Sequence, residues 1–370
     1  MNVAPFYCNI PCVKSSLLER LLLATVECGA SDLILHSGRQ AVARIEGELR
    51  TIDSEAMEES DIDALWSACG ADPADLDHDA SLTTGDGVRF RVNLFHHLGL
   101  RGAVLRRIHQ EIPAMETLGL PAELLREWAS RKSGIVIVSG PTGSGKSTTL
   151  AAVLEWINQT MARHIVTIED PVEYLFAAKL SMFTQREVGI DTPTFAEGLR
   201  RSLRQNPDII FLGEIRDAES ALTAIQAAET GHLVLATLHA SACAEVVKRI
   251  ELLFPPDERE AVRKTLAAQL LGVLCQRLVP AAAGGQALAC EYFSNAASSR
   301  NLIAEGRMPE LQDFIARGDP RSTRSFGDSL LRLVREGLVT EATALEISDN
   351  PQEFTRSLRG ISSSSQATRR

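Results

Sequence analysis

Gly140-Pro141-Thr142-Gly143-Ser144-Gly145-Lys146-Ser147 matches G-x-x-x-x-G-K-[ST] without a mismatch, a spacing with one well-defined chemistry. Glycines let backbone N–H groups turn inward around phosphate oxygens. Lys146 places a point charge at the β and γ positions, and a helix beginning there adds the positive end of its dipole. Ser147 offers a hydroxyl to Mg²⁺. Gly140 through Thr148 are therefore the candidate residues for binding ATP, with Mg²⁺ as its companion ion.

A phosphate loop alone does not hydrolyse anything, so carboxylates and bases must come from elsewhere. Asp208-Ile209-Ile210-Phe211-Leu212 reads as a strand ending in Gly213-Glu214. Gly213 cannot hold a metal, which leaves Glu214 to polarise an attacking water, since a carboxylate at the carboxyl end of a sheet strand faces the nucleotide crevice. The alternative is a solvated glutamate at a strand end. Ile168-Glu169-Asp170-Pro171-Val172-Glu173 places three carboxylates at the end of another strand. Mg²⁺ keeps several waters and needs few protein ligands; Glu169 and Glu173 are favoured over Asp170, against the plainer reading of an acidic helix start. His232 and His239 bracket the run Leu233 to Leu238. A histidine at a strand end is ordinarily a hydrogen-bonded structural residue; both stand as candidates, and the one that follows the strand, His239, is placed to sense the γ-phosphate.

These residues need a sheet to bring them together. Apolar runs at 135–138, 165–168, 209–212 and 233–236 alternate with helical segments, which predicts an α/β domain with a mostly parallel sheet covered on both faces. Beyond Asp257 the pattern is mainly helical, with possible strands at Gln276 to Val279 and Ala287 to Tyr292, and Gly360 to Arg370 is a serine-rich tail expected to be disordered. Residues 1–110 form a different unit. Helical spacing of Leu17, Leu18, Leu21, Leu22 and Val26 leads into Asp32 to His36; a hairpin follows from Ala41 to Ile52; further strands are predicted at Arg89 to Leu94 and Ala103 to Ile108. Prolines and a glycine at 112–121 mark the linker, so the expected division is 1–110, a linker at 111–121, 122–360 and the tail at 361–370.

Composition sets the outer limits. The 370 residues are 45% hydrophobic and 23% charged, which is globular composition at a length suited to about two domains. No apolar window approaches the roughly 18 residues a membrane-spanning helix needs, and residues 1–13 do not read as a secretory signal. The 48 acidic and 38 basic residues give a formal charge of −10, which offers a nucleic-acid partner little support. Seven scattered cysteines without a C-x-x-C pair suit a reducing compartment and argue against a zinc ribbon.

The order GPTGSGKSTT, TIEDPVEY, NPDIIFLGEIRD and TGHLVLATLHA resembles the secretion ATPases of type II secretion, type IV secretion and type IV pilus machines. Their four boxes are the phosphate loop, Asp box, Walker B and His box, and a Walker B without its aspartate is a feature of that family. Within it the chain is most similar to the PilT/PilU-like pilus retraction ATPases: GASDLILHSG, RIEGELR, RFRVNLF, QREVGIDTPTFAEGLRRSLRQNPD and NPQEF extend the likeness over nearly the whole length. The resemblance implies a PAS-like N-terminal domain and a RecA-like ATPase domain in a hexameric ring. It also implies a cytoplasmic protein, peripheral at the inner face of the bacterial inner membrane, acting on a membrane platform protein, with a paralogous retraction ATPase as a candidate companion. By the same resemblance Arg89, Arg91 and Arg106 are candidates to reach the triphosphate; otherwise Arg89 and Arg91 are the polar face of an amphipathic strand. The four-cysteine subdomain of extension ATPases is missing, which favours retraction. Two departures concern the output end: the family's AIRNL stands here as Ser298-Ser299-Arg300-Asn301-Leu302, and a following arginine is Ala304. Gln276-Arg277-Leu278 also departs from the family pattern. Competing expectations are an ATPase energising protein secretion or conjugation, and an accessory subunit that binds nucleotide without turnover.

Overall fold

The computed structural model describes residues 16–359, apart from 46, 73, 86, 109–110 and 320; the expected tail at 361–370 lies outside them. Two compact units result. One runs to Glu111 and takes in Pro171–Leu175; the other holds Ile112–Asp170 and continues from Phe176.

The first unit contains α1 (Ser16–Glu27), β1 (Asp32–His36), β2 (Gln40–Ile45), β3 (Glu48–Ala56), α2 (Glu59–Ala68), β4 (Asp77–Thr83), β5 (Arg89–His97) and β6 (Leu100–Arg107). Its sheet has the order β3-β2-β1-β6-β5-β4, and every neighbouring pair is antiparallel. Leu17, Leu18, Leu21 and Leu22 of α1 and Ile62, Leu65 and Trp66 of α2 pack with Leu33, Leu35, Phe90, Val92, Leu94 and Leu105 in one core. Strand alternation then assigns the partners of these residues to the opposite face. Phe90, Val92 and Leu94 point into the core, so Arg89 and Arg91 stand on the outer face. The hairpin β2–β3 and strands β1, β5 and β6 follow the sequence pattern. Helix α2 and strand β4 do not announce themselves there: β4 is a sheet edge reading Asp-His-Asp-Ala-Ser-Leu-Thr, with only Ala80 and Leu82 buried.

The second unit runs α3 (Ala122–Ala129), β7 (Gly134–Ser139), α4 (Lys146–Thr160), β8 (His164–Glu169), β9 (Met182–Glu187), α5 (Phe195–Ser202), β10 (Ile209–Leu212), α6 (Ala218–Glu229), β11 (Leu233–Leu238), α7 (Cys243–Leu252) and α8 (Arg259–Gln269). It continues through β12 (Leu270–Pro280), β13 (Gln286–Ser294), α9 (Ala297–Ala304), α10 (Met308–Arg317), β14 (Thr323–Arg324), α11 (Phe326–Arg335), α12 (Glu341–Ile347) and α13 (Pro351–Leu358). The sheet order is β14-β13-β12-β7-β11-β10-β8-β9. From β12 to β9 all neighbours are parallel, and β13 and β14 extend the sheet antiparallel. Strands β7, β10 and β11 are buried at every position and mostly apolar because helices cover both faces. On β7, Ile135 and Ile137 join a core with residues of α5 to α8, while Val136 and Val138 join another with Leu124, Leu125 and Trp128 of α3 and Leu150, Val153 and Ile157 of α4. The strand expected at 276–279 is longer, beginning at Leu270 directly after α8. Among the described residues no helix is long and apolar enough to cross a membrane.

Candidate active site

Parallel register decides which loops meet. Ser139 pairs with Leu238, Ala236 with Leu212, and Leu212 with Ile168, so the carboxyl ends of β7, β11, β10 and β8 lie side by side. The chain leaves these ends into the phosphate loop, His239, Glu214 and the Glu169-Asp170 pair. Four segments spread from residue 139 to residue 239 thus open onto one crevice edge, the usual ligand position in an open α/β sheet.

Gly140, Gly143 and Gly145 have φ of +147°, +78° and +86°, and Gly145 precedes the first turn of α4. The first amides of that helix have no acceptor within it and are available to an anion. A side chain at Gly140 has no room, since a Cβ would stand 2.4 Å from the Gln276 carbonyl oxygen and 2.6 Å from Ser144 Oγ. Ser144 Oγ is buried without a hydrogen-bond partner. A bare glycine cradle, the amides of a helix start and an orphaned hydroxyl together suit a polyphosphate. Lys146 Nζ is buried and donates to the carbonyls of Gly140 and Pro141, each at 3.0 Å.

Lys146 also meets the histidine. Its Nζ lies 3.4 Å from His239 Nδ1, and His239 Nε2 lies 3.4 Å from Glu214 Oε1. The other Glu214 oxygen accepts from Arg216 Nε at 2.6 Å, and Arg216 Nη1 reaches Asp170 Oδ2 at 2.9 Å. Glu214 first and Asp170 after it raise the Arg216 pKa, so the guanidinium is a fixed positive charge between two carboxylates. Gly213 explains why no Walker B aspartate stands here. Its N–H donates to the Ile168 carbonyl at 2.7 Å, and a Cβ would press on that oxygen at 3.1 Å.

Other candidates have other surroundings. His232 precedes β11 and sits at the opposite end of the strands from the loop: its carbonyl accepts from Gly134 N, at the start of β7, and its Nδ1 lies 2.9 Å from the Ala227 carbonyl oxygen. The structure does not bring it to His239. Six residues of strand at ~3.3 Å each separate the two rings' attachment points. Glu169 is buried and accepts from Thr167 Oγ1 at 2.6 Å; Ser147, in the first turn of α4, is half-buried. Glu173 is exposed and belongs to the Pro171–Leu175 segment of the first unit. No group of three or more His, Cys, Asp or Glu side chains is arranged to hold a metal among the described residues. A Mg²⁺ here would take protein ligands singly, from Ser147 and Glu169.

On the first unit's outer face Arg91 and Arg106 are direct cross-strand partners. Arg106 Nε donates to Asp32 Oδ1 at 2.7 Å, Arg89 Nη2 donates to Ser81 Oγ at 3.1 Å, and Arg91 lies 3.8 Å from Asp79.

Sequence reasoning passed over Arg216 and the supports beneath the loop. Gln276 Nε2 donates to Thr149 Oγ1 at 2.7 Å, and Ser139 Oγ lies 2.9 Å from the Leu238 carbonyl and accepts from Ala240 N at 2.8 Å. Arg216 had a signal, an arginine two residues beyond the candidate glutamate; the others join segments about a hundred residues apart and had none.

Residues 72–312, more than half the chain, match the family model described as type II/IV secretion system protein. The chain is 38% identical over 343 residues to the type IV pilus retractation ATPase PilT of Pseudomonas aeruginosa, spanning 91% of this chain and 99% of that protein. It is 36% identical over 344 residues to the type IV pilus ATPase PilU of the same organism, spanning 91% and 90%. A crystal structure of the pilus retraction motor PilT with bound ADP superposes with a TM-score of 0.84 at 38% identity, covering 92% of this chain and 99% of the other. With these boxes gathered at the carboxyl ends of the strands and likeness running nearly end to end, the chain belongs to the type II/IV secretion system protein family and, within it, to the PilT/PilU-like ATPases.

Proposed function

We propose that this chain is an ATP-hydrolysing motor that powers retraction of a type IV pilus. The observation that carries the reading is the His239 ring standing 3.4 Å from the phosphate-loop lysine and 3.4 Å from the Glu214 carboxylate. The likeness to PilT and PilU supports it and directs the ATPase toward a pilus.

In this reading the amides of residues 140–148 and the Lys146 ammonium hold the triphosphate. Lys146 exchanges its two carbonyl partners for β- and γ-phosphate oxygens. Glu214 accepts a proton from a water that adds to the γ-phosphorus as the bond to the ADP oxygen breaks. Arg216 holds one Glu214 oxygen, so the other is left toward His239 and the water. His239, touching both Lys146 and Glu214, registers whether the γ-phosphate is present. Ser147 and Glu169 would hold Mg²⁺, with Glu173 as a further candidate; when bound, the ion would neutralise the negative charge of the phosphates. His232 serves the fold.

The remaining parts of the proposal are an assembly. Residues 1–110 are a PAS-like domain, 111–121 a linker, 122–360 a RecA-like ATPase domain and 361–370 a tail. Arg89, Arg91 and Arg106 deliver positive charge to the phosphates when domains close, which is worth on the order of 10³-fold or more in phosphoryl transfer. Six copies form a ring in the cytoplasm at the inner membrane and act on a platform protein there, with a paralogous ATPase as a possible companion.

Lys146→Ala tests the enzyme: the purified variant is expected to fold and to release no phosphate from ATP, and retained turnover would overturn the assignment. A deletion strain scored for surface fibres tests the machine. Excess unretracted pili are expected; bald cells would point to assembly instead.

A further inference from the structure

Gln276 and Arg277 are neighbours on β12, so their side chains leave the sheet on opposite faces. Gln276 goes to α4 and Thr149. Arg277 goes the other way, and three elements converge on it. Its Nη1 lies 2.9 and 3.1 Å from the two carboxylate oxygens of Asp349, in the connection between α12 and α13. Its Nη2 donates to the Ser241 carbonyl at 3.3 Å, and the guanidinium lies 4.1 Å from the Phe326 ring centroid in α11.

Ser241 is two residues beyond His239. The segment from Leu238 to Cys243 is fastened to Ser139 through Ala240 N, to Glu245 through Ser241 N at 3.1 Å, to Arg277 through the Ser241 carbonyl, and to Glu291 through Cys243 N at 2.6 Å. The His239 contacts are long, 3.4 Å on either side, so the ring is held in place by its backbone more than by its partners.

We propose that Arg277 is a positioning residue for ATP hydrolysis. It holds the Ser241 carbonyl, and through it the backbone of His239, so that the imidazole stays between Lys146 and Glu214. Asp349 and Phe326 fix the guanidinium in turn, which ties the segment bearing His239 to the C-terminal helices. A planar donor fork serves a carboxylate and a carbonyl together; an ammonium on a flexible stem does so less well. The inference rests on the hydrolytic reading of the site.

The test uses the full chain in two arms. Without nucleotide, Arg277→Ala is expected to speed amide hydrogen exchange at residues 238–243 by about tenfold while β7 keeps wild-type protection, the mark of local loosening. In steady-state ATP hydrolysis it is expected to lower kcat by about tenfold with KM within about threefold, because the phosphate loop is untouched. Arg277→Lys should fall between. In a His239→Ala background the same Arg277→Ala change should move kcat by less than about twofold, since the route through His239 is already gone. Unchanged exchange at 238–243, or an equal kcat loss with and without His239, overturns the proposal. Should Arg277→Ala fail to fold, Asp349→Asn loosens the same guanidinium, and no rise in exchange at 238–243 overturns it equally. Absence of ATP turnover in the wild type would defeat the hydrolytic reading instead, and the exchange arm would still decide whether Arg277 holds the segment.

Discussion

Gly140→Ala puts the geometry of the phosphate loop to a quantitative test. At φ +147° an added Cβ stands 2.4 Å from the Gln276 carbonyl oxygen and 2.6 Å from Ser144 Oγ. The serine can rotate, but the carbonyl belongs to β12, which is paired in register with β13 at Gln276 and Cys290. A carbon and a carbonyl oxygen rest at about 3.3 Å or more, so the loop must give by about 1 Å. Displacing phosphate donors by that distance costs on the order of 10²-fold in turnover. The backbone conformation adds about 1–3 kcal/mol of strain, and each kcal/mol lowers the melting temperature by about 2–4 °C in a body of this size. Gly284→Ala, outside the phosphate loop, is the control. It also has positive φ, at +89°, but a Cβ there meets nothing within 4 Å. Both variants should melt earlier, and only Gly140→Ala should bind a fluorescent ADP at least about tenfold more weakly. Wild-type ADP affinity in Gly140→Ala, or an equal affinity loss in Gly284→Ala, would refute the reasoning.

His239→Ala is expected to lower kcat about 10–100-fold, as removal of a group at the reacting phosphate does, whereas His232→Ala should change kcat by less than about threefold and cost about 1 kcal/mol of stability through its lost hydrogen bond; equal kinetic losses would erase the distinction drawn from the strand register. Glu291 gives a pH signature: burial, first among its causes, raises its pKa above the ordinary 4.5 against the opposing hydrogen bond from Cys243 N. The folded chain therefore keeps that proton to higher pH than the unfolded one, and the contribution to stability present below 4.5 is lost as pH climbs through the raised value. Urea midpoints across that window should fall with pH in the wild type and fall less in Glu291→Gln; parallel curves would contradict the assignment.

The two kinds of signal in this sequence differ in range. The phosphate loop was legible because everything it needs is local: a six-residue apolar strand, glycines able to take positive φ, and a helix start, all between Gly134 and Thr160. The mostly parallel sheet was legible for a related reason, since strands covered on both faces become uninterrupted apolar runs. Strands with little to bury left no such trace. β4 and β9 lie at sheet edges, and β9 reads Met-Phe-Thr-Gln-Arg-Glu with only its last residue buried. The site shows the same division. Glu214 and His239 were readable by type and by their place after a strand, and the register of β11 on β7 puts His232, also a candidate, at the opposite end of the strand. Ser139 and the Gln276–Thr149 pair were not separable from ordinary polar residues, because each acquires its role from a partner that only the closed sheet supplies. What sequence spacing could not carry is therefore the set of contacts that hold His239 between lysine and glutamate, and a sensor with 3.4 Å contacts depends on that set for its placement. Substitutions at these unmarked positions should accordingly alter turnover more than nucleotide affinity, the opposite balance to changes within the loop itself.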